Sequence, residues 1–192
     1  MADPQARRTR RAYALTVLVG LAAAALTAVA GSRTWATGRA SAAGMRVDTT
    51  VPGSQAAPLV AALGLVALAG WGVVLVSRGR LRRLVAVIGL LASLGAFAAA
   101  VHGLTTVGAD AMSALLDQGA GRGQLTQNTT GWPFLALATA LVAAGAFLVA
   151  VLRARGWPEM GSKYDAPAAR EDASGSEPDM WRALDKGEDP TS

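Results

Sequence analysis

The sequence predicts an all-α integral membrane protein: a bundle of four transmembrane helices, with both termini in the cytoplasm (N-in/C-in) and a largely disordered cytoplasmic C-terminal tail. Three observations lead to this prediction: four long uncharged runs, an uneven distribution of arginine, and a change of composition near the C-terminus. The chain is 52% hydrophobic and only 16% charged, which is unusual for a soluble domain.

The four uncharged runs define the predicted spans. Residues 12–30, 59–76, 84–101 and 134–152 contain no Asp, Glu, Lys or Arg, and each run has 18 or 19 residues. An α-helix of that length is about 27–29 Å long, close to the roughly 30 Å hydrocarbon core of a bilayer. We therefore predict a transmembrane domain at residues 12–155, with spans at about 12–30, 59–76, 84–101 and 132–152.

The arginines predict the orientation of these spans in the inner (plasma) membrane. Ten arginines flank one side: four in the basic N-terminus at residues 1–11, four in the turn at residues 78–83, and two after the fourth span. Only four lie on the other side. The positive-inside rule places the arginine-rich side in the cytoplasm. The residues expected to determine the topology are those of the turn: Arg78, Arg80, Arg82 and Arg83.

The first span also has features of an export signal. Basic residues precede it, and Ala28-Val29-Ala30 resembles a cleavage site. Its uncharged run of 19 residues, however, is longer than the roughly 7–15 residues of a typical signal-peptide core. We expect a retained helix; cleavage would leave three spans without changing the orientation of the rest.

The segments outside the spans offer little material for a soluble domain. Residues 31–57 and 102–131 form the two outer loops, and we expect neither to fold as an independent domain. Trp35, Trp71 and Trp132 lie near the ends of spans, where amphipathic indoles prefer the membrane interface. We therefore expect these three tryptophans at the interface.

The sequence contains no recognisable catalytic motif. It has no cysteine, which excludes disulfides, thiolate catalysis and Cys-ligated metals. If the segment after the third span is helical, His102, Asp110 and Asp117 share roughly one face, but about 12 Å separates the first two, too far for one metal ion. Arg33 is the best candidate for binding an anion at the outer face, although such residues more often snorkel. We predict a protein that is not an enzyme, with no cofactor, no bound metal and no nucleic-acid partner.

The C-terminal tail, residues 156–192, differs sharply from the rest of the chain. It contains nine acidic and four basic residues among Pro, Gly and Ser, which is typical of a solvated, disordered segment. Within it, residues 177–187 predict a short amphipathic helix that carries Met180, Trp181 and Leu184 on one face. These three residues are the candidates for docking to a cytoplasmic partner. The alternative is contact with the protein's own cytoplasmic face or the bilayer interface.

Several stretches resemble the actinobacterial tryptophan-operon-associated conserved membrane proteins (Trp biosynthesis-associated membrane proteins). These stretches are RRAYAL at 10–15, GSRTW at 31–35, LAGWGVVLVSRGRLRR at 68–83 and WRALDKGEDPT at 181–191. The resemblance implies an association with tryptophan biosynthesis, and it brings no biochemical activity and no catalytic residues.

Two classes of function remain open on the sequence alone. The first is a non-catalytic accessory protein that recruits cytoplasmic proteins through its tail. The second is a small carrier or export subunit for an aromatic metabolite. Truncation after Gly156 discriminates between them, because it should abolish recruitment and spare a carrier.

Overall fold

The computed structural model describes residues 4–42, 45–117 and 124–153 of the chain. Four long helices dominate this part: α1 (Pro4–Ser32), α3 (Pro58–Val76), α4 (Gly79–Asp117) and α5 (Trp132–Arg153). All four are long and apolar enough to cross a membrane. The predicted fold class, a bundle of four transmembrane helices, is therefore confirmed.

The four helices form a ring in which each helix packs against two neighbours. The contacts run from α1 to α3, from α3 to α4, from α4 to α5, and from α5 back to α1. Small residues allow the close approach between them. Gly64 of α3, for example, lies against the backbone of Ala28 in α1. Such packing suits a bilayer, where helix association depends on close contact because lipid tails are as apolar as the side chains.

Helix α4 is much longer than the predicted third span. It contains 39 residues, which corresponds to about 58 Å, roughly twice the hydrocarbon thickness. Residues 102–117, predicted as part of an outer loop, continue the helix for about 24 Å beyond the predicted span. The buried positions of α4 continue along one stripe from Ala86 to Leu115, so the extension has its own packing partner.

That partner is a three-stranded antiparallel sheet built from the two outer loops. The sheet contains β1 (Thr34–Ala42), β2 (Met45–Pro52) and β3 (Gln124–Thr129), in the order β2-β1-β3. A single helical turn, α2 (Gly53–Ala56), leads from the sheet into α3. We expected neither loop to fold independently, and the structure combines them: β1 from the first loop pairs with β3 from the second.

The sheet lies on the extension of α4, and glycines make the contact close. A Cβ atom on Gly38 of β1 would lie 2.9 Å from a methyl group of Leu115. One on Gly108 of α4 would meet the side chain of Gln127 at 3.0 Å. We refer to β1, β2, β3 and residues 102–117 of α4 together as the cap.

Two of the three tryptophans predicted at the membrane interface lie in the core. Trp35 and Trp71 are both 0% exposed, whereas Trp132 is partly buried. Trp71 stacks on Phe147 of α5 inside the bundle, with ring centroids 4.5 Å apart. Trp35 fills the junction between the bundle and the cap, beside Gly103 of α4. Both indoles therefore contact protein and not lipid or water, because small residues on neighbouring helices leave room for them; their position at the membrane interface stays a prediction.

Candidate functional site

The turn between α3 and α4 brings the four predicted topology residues together at one end of the bundle. Only two residues, Ser77 and Arg78, connect the helices. Gly79 follows with a φ of +57°, a left-handed conformation that glycine adopts without steric cost. Arg78, Arg80 and Arg83 are exposed, in keeping with charges that face water or headgroups. We call residues 77–83 the arginine turn.

Arg82 differs from the other arginines of the turn because it is buried. It is only 4% exposed, and its Nε donates a hydrogen bond to the carbonyl oxygen of Ser77 at 3.0 Å. The carbonyls at the end of a helix lack intrahelical partners, and a cation there is favourable for the helix dipole. Arg82 therefore ties the start of α4 to the end of α3, a role that sequence reasoning missed.

Polar groups inside the bundle are few, and most are satisfied locally. The Thr27 hydroxyl on α1 donates a hydrogen bond to the Thr139 hydroxyl on α5 at 2.9 Å. Thr139 in turn donates to the Leu135 carbonyl at 2.8 Å, and Thr27 shares its single proton with the Ala23 carbonyl, also at 2.8 Å. In the part of the chain that the structure describes, two buried side-chain polar atoms have no hydrogen-bond partner: Trp71 Nε1 and Ser77 Oγ.

The structure does not bring His102, Asp110 and Asp117 together into a metal or acid–base site. His102 and Asp117 are exposed on the extension of α4, and Asp110 is partly exposed on the same helix. Throughout residues 4–42, 45–117 and 124–153 there is no group of three His, Cys, Asp or Glu side chains that could hold a metal ion. The continuous helix keeps His102 and Asp110 about 12 Å apart along its axis.

Arg33, the candidate for anion binding at the outer face, has an aromatic neighbour. Its guanidinium carbon lies 5.3 Å from the centroid of the Trp132 ring, in the range of a cation–π interaction. Its carbonyl accepts a hydrogen bond from the Gly53 backbone N–H at 2.8 Å. Arg33 therefore links the end of α1 to the start of α5. Its side chain is exposed to solvent despite this contact.

Comparison with known protein families assigns the chain to one of them. A family model described as a tryptophan-associated transmembrane protein matches residues 17–191. The chain is a member of the tryptophan-associated transmembrane protein family. This confirms the resemblance found in the sequence. No curated protein and no solved structure matches the chain.

The match extends through nearly all of this tryptophan-associated transmembrane protein. It begins within α1 and continues past α5 to residue 191, so it includes the tail. The docking candidates Met180, Trp181 and Leu184, in the predicted motif at residues 177–187, lie outside the residues that the structure describes. The family match nonetheless includes these three residues, so it extends into the tail.

Proposed function

We propose that this multi-pass membrane protein is a non-catalytic accessory protein of the inner (plasma) membrane that recruits cytoplasmic proteins of tryptophan metabolism through its tail. One observation carries the proposal: the interior of the bundle is filled by apolar side chains. Trp71 and Phe147 occupy one core cluster together with Val17, Val74 and several alanines. A packed interior suits an anchor better than a solute pathway.

The polar groups of the spans support the same conclusion. Ionisable side chains within spans usually mark ion or substrate pathways. Among the buried residues of the described helices, the one ionisable side chain is Arg82, and it lies at the end of a span. The hydroxyls of Thr27 and Thr139 form hydrogen bonds with each other and with carbonyls of their own helices. Neither feature provides a continuous polar route.

The tail supplies the recruiting element in this proposal. A Trp–Leu face has no use in a solvated segment, and about ten residues are too few for a stable isolated helix. Residues 177–187 would fold on contact with a groove that accepts Trp181 and Leu184. The inclusion of this segment in the family match supports a role for it.

Co-purification tests the recruiting role directly. The double variant Trp181→Ala, Leu184→Ala should lose the proteins that co-purify with the wild type, while insertion into the membrane is unchanged. The matched control is Lys163→Ala, Tyr164→Ala, which alters a basic and an aromatic residue of the same tail outside the motif. Retention of every partner by the Trp181/Leu184 variant would contradict the proposal.

The orientation is part of the proposal, because the tail must lie in the cytoplasm. The ratio of ten to four flanking arginines supports N-in/C-in topology. Reporter fusions after Arg83 and Arg155 should give cytoplasmic signals, and fusions near Gly53 and Gly121 should give external ones. An external signal at the arginine turn would refute this orientation. Replacing Arg78, Arg80, Arg82 and Arg83 together by Asn should give mixed orientations of α3 and α4.

A carrier for an aromatic metabolite is the second candidate function. The observation that favours it is the unpartnered Nε1 of Trp71, a donor buried inside the bundle. A deletion strain separates the two functions when it is tested for tryptophan auxotrophy and for transport of indole, anthranilate and tryptophan. Restoration of transport by a chain truncated after Gly156 would favour the carrier.

A further inference from the structure

The hydroxyl of Ser77, in the connection between α3 and α4, differs from several hydroxyls within the helices. Thr16, Ser93 and Thr139 each donate a hydrogen bond to the carbonyl four residues earlier, at 2.8–2.9 Å, and Thr27 shares its proton between the Ala23 carbonyl and the Thr139 hydroxyl. Ser77 is only 7% exposed, and its Oγ has no hydrogen-bond partner. A buried hydroxyl without a partner is unfavourable, so a bound group that forms a hydrogen bond with it would stabilise this position.

A buried cation contacts the same residue through its backbone carbonyl. The Nε of Arg82 is 3.0 Å from the carbonyl oxygen of Ser77, which places the guanidinium beside the same residue. Among the described residues, no carboxylate lies within salt-bridge distance of Arg82. A buried charge normally has a counter-ion. Within residues 4–42, 45–117 and 124–153, the positive charge of Arg82 therefore has a neutral carbonyl as its partner and no counter-ion.

The start of α4 adds further positive potential. The first backbone N–H groups of a helix lack intrahelical acceptors, and the helix dipole favours an anion there. The first turn of α4, from Gly79, contains no acidic residue. It contains Arg80, and Arg83 follows; both are exposed. Three features of the turn therefore favour the binding of an anion: a hydroxyl donor without an acceptor, a buried guanidinium and a helix N-terminus.

We propose that the arginine turn is a binding site for a phosphate group, with Ser77 Oγ and the guanidinium of Arg82 as its specific donors. Phosphate offers several acceptor oxygens, and a guanidinium binds it with good geometry. The turn joins two spans, so it lies at the depth of lipid headgroups, where basic pockets between helices bind anionic lipids. The phosphate comes from the headgroup of an anionic lipid or from a free phosphate compound.

Thermal unfolding of the full-length protein in neutral detergent tests the site. Phosphatidylglycerol should raise the Tm of the wild type, and phosphatidylcholine at the same concentration should not. In Ser77→Ala the affinity for phosphatidylglycerol should fall about tenfold, because a hydrogen bond to a charged group is lost. The Tm of Ser77→Ala without lipid should match that of the wild type, since its Oγ has no partner to lose.

Two arginine variants provide the matched comparison. Arg82→Gln should lose the response to phosphatidylglycerol, whereas Arg80→Gln removes the same charge from an exposed position of the turn and should largely retain it. If Arg82→Gln does not fold, Ser77→Ala decides alone. Equal responses of the wild type and Ser77→Ala would refute the site, as would equal responses of Arg80→Gln and a folded Arg82→Gln.

A second arm identifies the source of the phosphate. Inorganic phosphate is compared with acetate at matched ionic strength, in the absence of lipid. A Tm rise with phosphate alone, lost in Ser77→Ala, indicates a site for free phosphate compounds. A response to phosphatidylglycerol only, also lost in Ser77→Ala, indicates a lipid site. A response to acetate equal to that of phosphate would show nonspecific charge binding and refute the proposal.

Discussion

Trp35 and Trp71 fill the two core clusters of the molecule in different ways. Trp71 lies within the bundle, stacked on Phe147, and its Nε1 has no partner. Trp35 lies where the bundle meets the cap, and its Nε1 donates to the Ala30 carbonyl at 2.9 Å. Ala30 lies in the last turn of α1, where the helix carbonyls have no partner four residues further along the helix, so an acceptor is available to the indole. Trp71 lies among the middle turns of helices, whose carbonyls are already used.

The clusters also differ in what holds them together. In the bundle, the force between helices comes mainly from close van der Waals contact, because apolar side chains gain little by leaving lipid. In the cap, strands and the extension of α4 exclude water, so burial of apolar area contributes as it does in soluble proteins. Substitutions that create a cavity should therefore destabilise the cap most, and substitutions that overfill a contact between helices should destabilise the bundle most.

The largest effect is expected from a cavity in the cap. Leu115 is 0% exposed and lies against Gly38 of β1. Leu115→Ala should destabilise the cap by about 3 kcal/mol, seen as faster proteolysis of residues 34–52 while the helices stay protected. Leu116→Ala is the control, because Leu116 is 46% exposed. If both variants are cleaved at the same rate, the sheet does not depend on α4.

The next effect concerns overpacking in the bundle. A Cβ atom on Gly20 of α1 would overlap the indole ring of Trp71. Gly20→Ala should destabilise the bundle by about 2 kcal/mol, measured by thermal unfolding in detergent. The control is Gly145→Ala in α5, where a Cβ atom meets nothing within 4 Å. A wild-type Tm for Gly20→Ala would mean that α1 and α3 separate at little cost.

The sequence predicted the bundle well and the cap poorly, for a physical reason. A transmembrane helix needs a long uncharged run, and such runs are visible without knowledge of tertiary contacts. The strands of the cap lack a long apolar run, and β1 and β3 pair across a separation of more than 80 residues, as between Ala36 and Thr129. No local pattern reveals such pairing, and the glycines that permit the contact with α4 resemble ordinary loop residues.

The arginine turn was predicted only in part. Its charges could be counted, and exposure of Arg78, Arg80 and Arg83 follows from their polarity. The burial of Arg82 accompanies its hydrogen bond to the Ser77 carbonyl across the two-residue connection between α3 and α4. The same connection leaves Ser77 Oγ without a partner. A sequence contains no signal for either property.

The two tryptophans allow a direct comparison of a satisfied and an unsatisfied indole. Trp35→Phe removes a buried hydrogen bond and leaves the Ala30 carbonyl without that donor. Trp71→Phe loses similar volume but also removes an unpartnered donor, which offsets part of the cost. Trp35→Phe should therefore be more destabilising by about 1 kcal/mol, measured by thermal unfolding of both variants in one detergent. A larger loss for Trp71→Phe would indicate that its Nε1 binds a group in solution.

The smallest effect should come from the polar contact inside the bundle. Thr27→Val keeps the shape of the side chain and removes its hydrogen bond to Thr139 on α5. Hydrogen bonds between membrane helices contribute about 0.6 kcal/mol on average, because separated helices find other partners in the membrane. The control is Thr16→Val, where the hydroxyl donates to the Ala12 carbonyl of its own helix. The free energies of unfolding of Thr27→Val and Thr16→Val should therefore differ by less than those of Trp35→Phe and Trp71→Phe. A loss above about 2 kcal/mol for Thr27→Val would exceed the range for such bonds and show that the bundle, like the cap, depends on a directional contact.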